Sequence, residues 1–270
     1  MQQSPKKRPI RLASLVFIGF FLVLAMPVSG QSIWLGPKAG IQGSRFFFAD
    51  TDAQELYREG YGIGWQAGMV ANFEIGWGWE LATDYAYSRK SHSHTAVFDV
   101  DLIQSYRSTH GFIDASALLR YKFGDLPRHY YINIGPVISY WTDGNGRIRT
   151  GYTDRVRFDN GLQYHLVWDE EALDNYDEMW VGDANRLQVG IEAGIGMQFD
   201  IFYGSRVQLD LRYQLGHTNL AQEADTGIFG LNGLSFADNL KGVHHVLGFS
   251  AAFLTSFQFV EIKDKNYLVQ

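Results

Sequence analysis

The sequence predicts an all-β chain, an eight-stranded antiparallel up-and-down transmembrane β-barrel with a cleaved N-terminal signal peptide. Three observations carry that expectation. Seven segments put their charges on one parity of positions and their large apolar groups on the other, and an eighth keeps the apolar parity without any charge. The connections between segments alternate between short and long. The chain also opens on a leader typical of exported proteins. Because side chains alternate across a strand, the first observation describes sheets with one oily and one polar face. A strand in a membrane barrel needs grease outside and charge inside.

The leader comes first. Lys6, Lys7, Arg8 and Arg11 form a basic region, and an apolar run follows from about Leu12 to Met26. Pro27 breaks that run ahead of the small residues Val28, Ser29 and Gly30, which makes Gln31 the expected mature start. The run falls short of the roughly 20 residues a spanning helix wants, which disfavours an uncleaved anchor. The expected division is therefore 1–30 as signal peptide and 31–270 as barrel domain, ending in a short polar tail.

Strand one, about 32–45, carries Lys38 on its polar parity and Pro37 beside it. In strand two, about 61–75, Trp65, Ala67, Met69, Ala71, Phe73 and Ile75 face one way and Gln66, Asn72 and Glu74 the other. Strand three, about 77–89, sets Trp77, Trp79, Leu81, Tyr85 and Tyr87 against Glu80, Asp84 and Ser88. Strand four, about 108–123, sets Ile113, Leu119, Tyr121 and Phe123 against Asp114, Ser116, Arg120 and Lys122. Strand five, about 129–142, holds Pro136. A closed barrel offers no free edge to excuse a missing amide donor, so Pro37 and Pro136 are expected to mark a bulge or a strand end.

Strand six, about 185–200, is the clearest case. Arg186, Gln188, Glu192, Gln198 and Asp200 alternate with Leu187, Val189, Ile191, Ile195, Met197 and Phe199. Strand seven, about 204–217, sets Val207, Leu209, Leu211, Tyr213 and Leu215 against Arg206, Asp210 and Arg212. Strand eight, about 243–257, is uncharged and opens on His244 and His245. Three short connections (75–78, 124–128, 201–203) and four long ones (46–60, 90–107, 143–184, 218–242) alternate strictly, as periplasmic turns and external loops do in outer-membrane barrels.

Composition agrees. Mean hydropathy is slightly negative at -0.16, so no hydropathy scan would flag the mature chain, as expected when half of each strand is polar. Aromatics make up 15% of the residues. They gather near strand ends: Trp77, Trp79, Tyr121, Phe123, Tyr130, Tyr131, Phe199, Phe202 and Tyr203 by the short turns, and Tyr87, Tyr140 and Trp141 by the long loops, with Phe46 to Phe48 just beyond strand one. Two headgroup-level girdles have that form. There is no cysteine, hence no disulfide framework, thiolate metal site or lipoprotein anchor. Without the four leader cations, 19 Lys and Arg face 29 Asp and Glu, a net charge near −10 that disfavours nucleic acid as a partner.

The polar parity collects Lys38, Arg120, Lys122, Arg186, Arg206 and Arg212 against Glu74, Glu80, Asp84, Asp114, Glu192 and Asp210. An eight-stranded barrel is narrow enough for side chains to fill, so these charges are expected to pair across the lumen as a structural network. In the longest loop, Arg155–Phe158 and Leu162–Trp168 flank Asp159, Asn160 and Gly161, a hairpin signal. After it comes an acidic run, Asp169, Glu170, Glu171, Asp174, Asp177 and Glu178, a candidate site for a cation such as calcium, for lipopolysaccharide counter-ions or for a partner. No EF-hand spacing is present, so a solvated acidic surface is preferred. Ser93 between His92 and His94 raises the alternative of an outer-leaflet lipid-modifying enzyme. No carboxylate at a recognisable spacing and no GxSxG elbow supports it. No catalytic residue, metal-ligand set or cofactor is assigned.

The opening Trp34–Leu35–Gly36–Pro37–Lys38–Ala39–Gly40, the Gly-rich second strand and Gly194 to Asp200 (GIGMQFD) resemble the PorT-type outer-membrane β-barrel family of Bacteroidota across essentially the whole mature chain. The resemblance implies a bacterial outer-membrane location and a role accessory to type IX protein secretion. It transfers no functional residues. The expected function is a non-enzymatic envelope component that contacts outer-membrane lipid and lipopolysaccharide and binds envelope or secretion-machinery proteins through its loops. A passive small-solute pore is the alternative.

Overall fold

The computed structural model describes residues 32–49, 55, 57–97, 104–124, 127–150, 161–168, 177–181, 184–202, 204–221, 227–231, 234–238 and 240–258. The leader, the C-terminal tail and the acidic positions Asp169, Glu170, Glu171 and Asp174 lie outside them, as do Asp159 and Asn160. The described chain is built from β-strands. They are β1 (Ser32–Phe48), β2 (Tyr57–Gly76), β3 (Trp79–Ala96), β4 (Ser105–Phe123), β5 (Arg128–Arg149), β6 (Leu162–Val167), β7 (Glu178–Val181), β8 (Leu187–Phe202), β9 (Ser205–Gly216), β10 (Gly227–Leu231), β11 (Leu234–Asp238) and β12 (Gly242–Gln258).

Eight of these strands close a ring in the order β1-β2-β3-β4-β5-β8-β9-β12, with β12 returning to β1 and β5 pairing β8 over Arg128–Tyr140. They are the eight strands the sequence predicts. Closure leaves the ring no free edge, so its backbone donors and acceptors are met by neighbouring strands, as a membrane interior demands. The outward parity is apolar and open to the surroundings: Leu35, Ile41, Met69, Tyr85, Leu119, Ile132, Ile134, Ile195, Leu211, Phe249 and Phe253 are all exposed. The inward parity is buried and polar in the same segments.

At the short-turn end, Gly76, Trp77 and Gly78 take three successive positive φ values of 110°, 53° and 83°. The left-handed conformation suits glycine and is uncommon for a bulky residue. Here it thrusts Trp77, 98% exposed, off the end of the barrel at the depth where indoles anchor.

Neither proline marks a bulge or a strand end. The β1–β2 register runs unbroken through Pro37↔Met69. Pro136 keeps its place opposite Ile191 on β8, while the β4 side skips from Ser116↔Val137 to Leu119↔Ile134 without a change of register. The ladder therefore loses a few bonds on one flank and the strand continues. The register shifts fall elsewhere, at Tyr61/Trp65, Gly111/Phe112 and the turn-proximal ends of β2 and β8.

Three of the four predicted long loops are shorter than expected, because the wall continues as sheet. β3 runs on to Ala96, β4 begins at Ser105 and β5 reaches Arg149. β6 pairs antiparallel with Asn145–Ile148 of β5, and its other edge takes β7 in parallel. β6 thus has an antiparallel partner in β5, and Arg155–Phe158 lies outside the described residues. β10 and β11 extend the sheet from β7. In this extension the pattern of the barrel reverses: Phe46, Phe48, Tyr106, Phe112, Trp141, Ile148, Tyr164, Leu166, Met179 and Val181 form an apolar core. Outside the bilayer the surroundings are water, and the same strands turn their grease inward.

Candidate functional site

Inside the barrel the polar parities of β1–β5, β8 and β9 converge into layers that can be followed upward along β3. Lowest is Glu80. Arg120 on β4 donates to its Oε1 at 2.5 Å, and both side chains are fully buried. Lys122 reaches Glu80 at 3.2 Å and Glu74 at 3.0 Å. Arg206 pairs with Asp200 at 2.7 Å and lies 3.6 Å from Glu74. Asp210 links this layer to the next, 3.8 Å from Arg120 and 3.2 Å from Arg212. Above it, Asp84 receives Lys38 at 2.6 Å and a short bond from Arg212, which also lies 3.5 Å from Glu192. Higher still, Asp114 accepts from Lys90 at 3.0 Å, from Ser88 at 2.5 Å and from Ser139.

Eleven of the twelve residues expected in a lumen network therefore meet there. Arg186 does not. It stands at the rim beside the start of β8, donating to the Trp141 carbonyl at 3.0 Å and stacking over the Tyr140 ring at 4.7 Å. Two members were missed: Lys90, read as loop, and Asp200, at a strand end.

Glycine makes room for these long side chains. A Cβ on Gly196 would stand 2.3 Å from the Tyr131 phenol, and one on Gly194 would stand 2.7 Å from Cγ of Arg212. Tyr131, expected in a girdle, in fact points inward: its hydroxyl donates to Asp210 at 2.6 Å and Arg120 stacks on its ring at 4.0 Å. Trp141 is also inward and fully buried. Among Lys38, Asp84, Asp114, Glu192 and Arg212 the remaining void is about 30 Å³, room for a water or two.

The next layer up is aromatic. On the outer wall the apolar band gives way here to the Arg89–Asp143 pair and to Ser91 hydrogen-bonded to Thr109 at 2.8 Å, so this level stands clear of the hydrocarbon. Within it lie four buried histidines: His92 and His94 from β3, His110 from β4 and His244 from β12. His92 stacks on His110 with ring centroids 5.1 Å apart, and His244 lies 5.3 Å from His92 and 5.7 Å from His110. Phe46 packs on His92, Tyr106 on His94 and Trp141 against His110. Among the described residues no ring nitrogen of His92, His110 or His244 has a hydrogen-bond partner. Each such buried group costs about 1–3 kcal/mol. Burial disfavours the charged imidazolium, lowering His110 to about 3 and His94 to about 4. Of the four, His92 and His94 were expected in a long loop, His110 near the start of strand four and His244 at the opening of strand eight.

Ser93 and His94 occupy successive positions of one strand and so face opposite sides of the sheet. They cannot form a nucleophile–base pair. Of the acidic run, Asp177 and Glu178 are described. Asp177 lies 4.0 Å from the His165 ring, and Glu178 begins β7.

A cleft of about 600 Å³ opens on the sheet extension above the histidines, lined among others by Thr95, Arg107, Thr109, Arg147, Arg149 and His165. Arg107 and Arg147 are direct cross-strand partners on β4 and β5. Like charges placed directly opposite destabilise a ladder. No carboxylate lines the cleft among the described residues.

A family model described as outer membrane protein beta-barrel domain matches residues 29–222, more than two thirds of the chain. Among solved structures, the chain is similar to Neisserial surface protein A (12% identity, 85% of this chain and 100% of that one, TM-score 0.39). It is similar also to the attachment invasion locus protein Ail of Yersinia pestis (12% identity, 85% and 100%, TM-score 0.37). OprG from Pseudomonas aeruginosa matches at 11% identity over 85% of this chain and 97% of that one, with a TM-score of 0.47. No curated protein matches the chain.

Proposed function

The chain belongs to the outer membrane protein beta-barrel domain family, and on that premise we propose that it is a non-enzymatic, non-conducting anchor that presents a docking sheet to an anionic segment of another envelope protein. One observation carries the proposal: Arg107 and Arg147 face each other across a ladder in a cleft whose described lining holds no carboxylate. Paired guanidiniums left to repel one another favour a ligand that brings carboxylates or phosphates. The secretion-accessory role implied by the PorT-type resemblance is one such assembly, with the cleft on the external side.

The test is co-purification from detergent-solubilised outer membrane. Wild-type protein is expected to retain an envelope partner that Arg107→Glu with Arg147→Glu releases, while barrel folding, read by heat-modifiable gel migration, stays intact. A partner set indifferent to the double reversal, or a clean wild-type monomer, would refute the proposal.

The pore alternative makes a separate prediction. With Arg120, Glu80 and Gln208 packed together at the axis and fully buried, planar bilayers are expected to show no steady conductance from the purified barrel. Steady single-channel steps that change in Glu80→Ala or Arg212→Ala would overturn the plugged lumen.

A further inference from the structure

The ligand atoms of His92, His110 and His244 all lie within 4.8 Å of one another. We propose that these three imidazoles form a binding site for a divalent transition-metal ion, of which zinc is the probe, at the mouth of the barrel. Four observations lead to it. All three side chains are buried, at 1%, 0% and 4% exposure. Among the described residues their six ring nitrogens have no hydrogen-bond partner, an arrangement a protein interior avoids unless something else accepts the lone pairs. The chemistry of the set is uniform: three borderline-soft nitrogen donors with no oxygen ligand suit zinc, copper or nickel and do not suit calcium or magnesium. Finally, the three residues come from separate strands, β3, β4 and β12, with β1 and β2 lying between β12 and β3 in the ring. Sequence neighbours stacking for local reasons would not produce that.

Lys90 precedes His92 on the inward parity of β3. Lys90 holds its ammonium 3.0 Å from Asp114 and 4.5 Å from the Phe112 ring, so its charge is already matched. His94 packs edge-on to His92 with centroids 5.1 Å apart. Three-nitrogen ligation leaves one tetrahedral position over. The bound ion would tie two well-separated stretches of the barrel wall together where the ring leaves the membrane. This is independent of the arginine-lined cleft and of whether any partner docks there.

The experiment uses the untagged full chain, purified in detergent and stripped with a chelator. Zinc is expected to bind at one ion per chain and to raise the thermal midpoint, whereas magnesium at the same concentration does neither. His110→Phe and His244→Phe keep an aromatic ring in each stack and remove its nitrogens, and both are expected to abolish stoichiometric uptake. His245→Ala, on the outward face beside His244, is expected to leave it unchanged. Failure of the folded wild type to take up zinc would overturn the site, as would uptake that survives both phenylalanine variants. Should the variants not fold, X-ray absorption of the zinc-loaded wild type decides. A shell of imidazole nitrogens at about 2.0–2.1 Å supports the site, and a shell of oxygens sinks it.

Discussion

Glu80→Ala is expected to cost the folded barrel about 3–5 kcal/mol, among the largest losses any single substitution in this chain should produce. The carboxylate is fully buried and serves three cations: Arg120 at 2.5 Å, Lys122 at 3.2 Å and Arg206 at 3.9 Å. Removing it leaves the Arg120 guanidinium, also fully buried, with Asp210 at 3.8 Å and the Gln208 amide oxygen at 3.0 Å. An uncompensated interior charge costs more than its ion pair contributes, because desolvation is charged whether or not the partner remains.

That asymmetry gives the prediction its internal control. Replacing both members, Glu80→Leu with Arg120→Met, removes the ions together and should recover much of the loss. Urea unfolding in micelles, followed by tryptophan emission, is the measurement, with the midpoint of the double variant above that of Glu80→Ala. If Glu80→Ala falls within about 0.5 kcal/mol of wild type, the shift expected of a surface substitution, then the ions sit in water and the lumen is not plugged.

The sequence shows the membrane part of this fold clearly and the rest poorly, for a physical reason. Within the bilayer the outside must be apolar and the inside of a narrow barrel must be polar, so each strand declares its phase twice. β9 is the plainest example, with Arg206, Gln208, Asp210 and Arg212 buried and Leu211, Tyr213 and Leu215 exposed. Above the membrane that double signal disappears. From Lys90 to Ala96, β3 reads KSHSHTA, with serine and threonine on one parity and lysine and histidine on the other. Nothing in it is strongly apolar, so it reads as loop, and its two histidines read as solvated. Only the apolar core of Phe46, Tyr106, Trp141 and Tyr164, supplied by other strands, makes sheet of it. The histidine cluster was therefore illegible, since its members lie in three strands, and the segment that carries His92 and His94 has no strand signal of its own. Tyr131 and Trp141 were misread as girdle residues, although both share the parity of Asn133 and Ser139, which the structure buries inside.

Ile195→Arg should cost about 2–4 kcal/mol in lipid, because Ile195 faces outward near the middle of β8. Its cross-strand neighbours are Ile132 on β5 and Leu211 on β9, and Leu211 is followed around the wall by Phe249 on β12. All four are exposed apolar residues at one level, a continuous belt no water-facing sheet would keep. A guanidinium placed in that belt must drag water and headgroups into the hydrocarbon. The same substitution at Phe202, the exposed last residue of β8 beside the short turn, meets the interface and is expected to cost only about 0–1 kcal/mol. Reversible unfolding from lipid vesicles measures both. The difference between the two sites carries the argument, because a soluble sheet would tolerate arginine equally well at either exposed position. Equal costs, or no cost at Ile195, would mean that the outer face of this barrel is not solvated by lipid.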